Sequence, residues 1–188
     1  MKKVVSILVI FIMVFQICCL SANASENEDN LKFLVMGDSI AAGTGLVAPE
    51  ECCYGSLIAK ANGYNYKNIA YLGKTARSLS WNLEYYPEDD YISSTILEVM
   101  DADIISISVG GNDLLWDNLI EKINQALFYD NYEMIDRLIN EFYYNIKSIA
   151  ISINAINPDA TVLIQTLYNP RFDVLAGVYQ YATENLNR

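Results

Sequence analysis

Near-continuous apolar runs alternate with helical stretches along this chain, and that alternation constrains the fold more than any other feature. Leu31–Met36, Tyr64–Ala70, Ile104–Val109 and Ala160–Thr166 read as strands. Between them, Tyr54–Ala61 reads as a helix ending at Asn62-Gly63, and Ser93–Met100 as a short helix. Leu115–Phe128 and Asn131–Asn157 read as helices joined by a turn at Tyr129-Asp130-Asn131, and Phe172–Leu186 as a last helix. Thr75–Asp90, with Trp81, Tyr85 and Tyr86, reads as an aromatic loop. Strands this apolar are buried on both faces, so the pattern predicts a parallel sheet covered by helices on each side. In such sheets chemistry gathers at the carboxyl ends of the strands.

The amino terminus reads as an export signal. Lys2 and Lys3 precede an apolar stretch from Val4 to Leu20, and Ala22-Asn23-Ala24 has the small-x-small form of a cleavage site. Cleavage is expected after Ala24, leaving a polar leader, Ser25–Asn30, and a protein secreted without a membrane anchor. Losing residues 1–24 removes two lysines and no acid, so the formal charge falls from −11 to −13. That balance argues against nucleic acid and anionic membrane surfaces as partners. Two of the four cysteines leave with the signal. The others, Cys52 and Cys53, are adjacent, so a disulfide framework is not expected. One is read as core and the other as half-exposed.

The strand ends carry the informative residues. Gly37-Asp38-Ser39-Ile40 follows the first strand and leads into Ala41-Ala42-Gly43, read as a sharp turn running into a helix. Such a turn presents the Ser39 hydroxyl among free backbone N–H groups. Gly73 follows the second strand, and Gly110-Gly111-Asn112-Asp113 the third. Attack on an ester creates an oxyanion that needs preorganised donors. Ser39 N–H, Gly73 N–H and the Asn112 side-chain amide are candidates. Asp38 and Asp113 read as loop-holding residues. Asn112 has a helix cap as its plainer reading. Asn68 reads as a turn residue outside the site. Tyr168 and Asn169 end the fourth strand and are candidate pocket walls.

In these blocks, and in Asn68-x-Ala70-x-x-Gly73-x-Thr75, the chain resembles the SGNH, or GDSL-like, lipases and acylhydrolases over residues 31–186. The resemblance implies a three-layer α/β/α sandwich with a flavodoxin-like parallel sheet. It implies that Ser39 is the nucleophile and that Gly73 and Asn112 complete the oxyanion hole. It also implies an ester substrate (lipid, short acyl or polysaccharide O-acetyl) and no metal or organic cofactor. Oligomeric state is not implied.

One element of that family pattern is missing. The chain contains no histidine, so an Asp-x-x-His block near the carboxyl terminus is not present. A fragment lacking the last strand and helix of the fold is one expectation. A degraded gene and a non-catalytic binding derivative are the alternatives. Loss of the base from a nucleophile–base unit costs about 10⁴–10⁶ in turnover, so little activity is expected of these residues alone.

Overall fold

The computed structural model describes residues 30–84, 92–115, 119–167 and 184–185. Among them, four strands form one parallel sheet in the order β2-β1-β3-β4. β1 is Lys32–Gly37, β2 Asn65–Asn68, β3 Ile104–Ser108 and β4 Thr161–Ile164. The helices are α1 (Pro49–Cys52), α2 (Tyr54–Asn62), α3 (Ala76–Asn82), α4 (Ser94–Met100), α5 (Gly111–Leu115), α6 (Leu119–Tyr129) and α7 (Glu133–Ile156). The order is the flavodoxin-like one, and the expected α/β architecture is present.

Side chains of β1 alternate between two cores, because successive residues of a strand face opposite ways. Leu34 and Met36 join Leu79, Ile105, Ile107, Ile149 and Ile153 on the face covered by α3, α4 and α7. Phe33 and Val35 join Ala41 and Ala59 on the opposite face, under α2. Each fully buried aliphatic side chain contributes about 1.5–3 kcal/mol. The register sets Met36 beside Ile107 and Gly37 beside Ser108, so β1 and β3 end level.

Local chemistry explains the element ends. Gly63 stops α2 in the left-handed conformation expected of Asn62-Gly63, with φ 71°. Ser93 caps α4, its hydroxyl accepting from the Ile96 N–H at 3.2 Å. β2 is shorter than the sequence suggested; beyond Asn68 the chain still donates from Ile69 and Tyr71 to β1, while the Ala70 N–H is taken by the Asn68 side chain.

Three expectations are corrected. Thr75–Asp90 is not simply a loop, since it contains α3. Thr75 Oγ1 accepts from the Ser78 N–H and Ser78 Oγ accepts from the Thr75 N–H, a reciprocal cap. Leu79 and Leu83, four residues apart, are both buried. Next, no helix directly follows Ser39. The chain winds through uneven turns, Ala42 N–H to Asp38 O and Thr44 N–H to Ser39 O, and positive φ at Gly43 and Gly45 prevents a regular helix. Finally, helix after the third strand begins at Gly111 rather than Leu115, as α5, with α6 from Leu119. The expected turn before α7 is present, with Asp130 at φ 51°.

The export signal, Tyr85, Tyr86, Tyr168, Asn169 and nearly all of the last predicted helix lie outside the described residues. Among the described residues, no helix is long and apolar enough to cross a membrane.

Candidate active site

Three strand ends are tied together at one edge of the sheet. The Asp38 N–H donates to the Ser108 carbonyl at 2.9 Å, and the Tyr71 N–H donates to the Gly37 carbonyl at 3.1 Å. A Cβ on Gly37 would stand 2.1 Å from that Ser108 oxygen, so only glycine allows β1 to turn here. Ser39 follows, half-buried in the turn. Asp38 is buried beneath it, and Asp38 Oδ1 accepts from the Ile40 N–H at 3.0 Å. That is the loop-holding role read from the sequence.

Asn68 does more than make a turn. Its Nδ2 donates to the Ala41 carbonyl at 2.9 Å while its Oδ1 accepts from the Ala70 N–H at 2.9 Å. One amide therefore joins the Ser39 loop to the end of β2. A side chain with both donor and acceptor at a strand end was the available signal. Behind the loop, buried Cys53 Sγ lies 3.1 Å from Tyr66 Oη, and Tyr54 Oη lies 3.2 Å from Ser106 Oγ. Burial first, and then Cys53, pushes the Tyr66 phenol far up. Cys53 is buried, as expected of one of the pair, whereas Cys52 is exposed rather than half-exposed; both are free.

Gly73, at φ 81°, precedes Lys74. Lys74 is only 4% exposed, which the sequence reading missed. Its ammonium donates to Tyr71 Oη at 3.0 Å and lies 4.6 Å from the Tyr71 ring centre. With the Asn82 amide oriented to satisfy both of its ends, the Asn82 oxygen also accepts from Lys74 at 2.6 Å. A lysine three residues after a tyrosine was the sequence signal.

The Lys74 carbonyl accepts from Asn112 Nδ2 at 2.9 Å. Asn112 stands in the first turn of α5, yet its side chain reaches across to the Gly73 segment instead of capping its own helix. Asp113 reaches the same segment, its two oxygens 3.2 and 3.0 Å from the Ala76 N–H. The structure thus joins Gly73 to Asn112 through Lys74. It joins the Ser39 turn to both neighbouring strand ends through Gly37, Asp38 and Asn68.

Burial raises the Asp38 carboxyl above its usual range, against the lowering effect of the Ile40 N–H. Burial also raises Asp113, opposed by the Ala76 N–H, and the Asp38 charge adds a smaller upward push. Beside Gly73 opens a cleft of about 370 Å³, walled by Tyr71, Arg77, Glu141 and Phe142.

A search of curated protein sequences finds no match. Among solved structures, a lipase from a goat rumen metagenome is similar at TM-score 0.60 and 21% identity, over 84% of this chain and 74% of that one. An extracellular lipase from Streptomyces rimosus is similar at TM-score 0.50 and 14% identity, over 83% and 72%. The esterase AlinE4, solved as a single-site mutant, gives 0.51 and 18%, over 86% and 70%. These likenesses show the fold. The sequence model of the GDSL-like lipase/acylhydrolase family matches residues 35–188. The chain belongs to the GDSL-like lipase/acylhydrolase family.

Proposed function

We propose that Ser39 is the nucleophile of a secreted carboxylic-ester hydrolase. The Ser39 N–H, the Gly73 N–H and the Asn112 side-chain amide would receive the oxyanion. The observation that carries this reading is the tether from Asn112 Nδ2 to the Lys74 carbonyl, next to Gly73. It fixes a side-chain amide beside a glycine whose backbone a substrate can approach, on loops neighbouring Ser39. Secretion rests on the Lys2-Lys3, apolar and Ala22-x-Ala24 pattern of the first 24 residues.

Residues 1–188 contain no histidine, so the group that accepts the Ser39 proton is unassigned among them. That observation favours a second reading, a binding protein that keeps the pocket without turnover. Chemical rescue separates the two. The purified chain and its Ser39→Ala variant are assayed on p-nitrophenyl acetate across an imidazole series, with imidazole as the external base. Hydrolysis by the chain rising above that of Ser39→Ala as imidazole increases is the expected result. Identical curves for both proteins, with the ester still bound, would establish the binding reading instead.

A further inference from the structure

The cleft beside Gly73 is unassigned by anything above. We infer that it seats the alcohol half of the ester, and that this half is a neutral sugar-like polyol. The inference rests on the reading of Gly73 as an oxyanion donor. Gly73 forms part of the cleft wall, so the cleft adjoins one of the proposed oxyanion donors, while Ser39 and Asn112 are not among its lining residues.

The chemistry of the walls selects the occupant. Tyr71 and Phe142 supply aromatic surface. Arg77 on one side, with Glu141 and Asn145 on the α7 side, supplies donors and acceptors together. A ring bearing several hydroxyls needs both kinds at once. A long acyl chain needs neither and would leave these groups desolvated and unpaired.

Charge disfavours an anionic alcohol. Arg77 is balanced in the cleft by Glu141 and Asp113, and the chain as a whole carries −11. A phosphate or carboxylate there would meet like charge. The Arg77 guanidinium also lies 4.9 Å from the ring centre of Trp81, one turn along α3. That stack holds its donors in place, which lowers the entropy lost on binding. At about 370 Å³ the cleft falls in the range of small-molecule sites.

The test reads binding and needs no turnover. The full chain, labelled with nitrogen-15, is titrated with the methyl glycosides of O-acetylated glucose, xylose and N-acetylglucosamine, and with dibutyroyl phosphatidylcholine. At least one acetylated glycoside is expected to shift the amides of Gly73, Thr75 and Arg77 saturably. Arg77→Ala and Glu141→Ala, both at exposed positions, should each weaken that binding about tenfold, as loss of a charge-assisted hydrogen bond does, and leave the remaining spectrum unchanged. Saturable binding of the phospholipid in its place would overturn the inference. So would glycoside binding indifferent to both substitutions, or no glycoside binding at all. Failure of imidazole rescue at Ser39 would leave this result untouched, so the two readings fall separately.

Discussion

The side-chain amide of Asn112 donates to the main-chain carbonyl of Lys74, 38 residues earlier, at 2.9 Å. A first-turn helix residue is therefore spent on a different loop. Asn112→Asp replaces the donor with an oxygen that faces the carbonyl oxygen. The expected cost is about 1–3 kcal/mol, the penalty of a polar group left without its partner. Asn112→Ala should cost less, because nothing then repels Lys74. Urea unfolding of both variants checks the order.

Gly37 has no tolerable substitute. Alanine there places Cβ 2.1 Å from the Ser108 oxygen, a backbone atom that cannot step aside without parting β1 from β3. Gly37→Ala should lose about 4 kcal/mol or more. Gly45 offers the contrast, with φ +94° and open space around it. Gly45→Ala should cost only the left-handed strain, about 1–2 kcal/mol. Equal destabilisation of the two variants in thermal melts would contradict the steric account.

Asn68 holds the Ser39 loop from a neighbouring strand. Asn68→Ala removes its side-chain hydrogen bonds to the Ala41 carbonyl, the Ala70 N–H and Cys53 Sγ. A loss of about 1–3 kcal/mol is expected. Amide exchange should accelerate at Ala42 and Thr44, within the loop, more than in β3. Uniform acceleration across the domain would place the effect elsewhere.

The Asp38 and Asp113 carboxyls set a pH trend of known sign. The folded state raises the Asp38 and Asp113 pKa above the ordinary 3.8, chiefly through burial. The folded state therefore holds those protons more tightly than the unfolded chain. Their stabilising contribution is present below pH 3.8 and is lost as pH rises through the folded values. Asp113→Asn cannot ionise. The stability of the native chain relative to that variant should fall as pH rises from below 3.8 toward neutrality. Parallel stability curves for the two proteins would sink the assignment.

Among the described residues β4 is the outer strand of the sheet, and Leu163 on it is 52% exposed. Its segment Thr161–Ile164 carries no charge or proline to block edge pairing. Leu163→Lys should raise the concentration at which the purified chain stays monomeric, as read by light scattering. The opposite edge, β2, already carries Lys67.

What was legible in the sequence was local. The apolar run Leu31–Met36 lies within one segment, and so does the glycine that ends it. α3 was harder to see, because its cap uses Ser78 where glutamate is the usual signal, and its exposed face carries Arg77 and Trp81. The burial of Lys74 depends on Tyr71 and Asn82, and the role of Asn68 on Ala41, 27 residues away. Such partners become visible only when the strands are aligned. The same holds for Asp113, whose partner Ala76 lies 37 residues back.

The strand order has a consequence for how such a site is reached. From β1 the chain crosses to β2 on one side, and from β2 it returns past β1 to β3 on the other. From the end of β3 it crosses to β4, away from β1, so the connections leaving β1 and β3 run toward opposite edges of the sheet and diverge between the ends of those two strands. That divergence is a topological switch point. Ser39 stands beside it because it follows closely on the end of β1. Insertions in the flanking connections can reshape the walls of that opening while the hydroxyl stays where the sheet puts it.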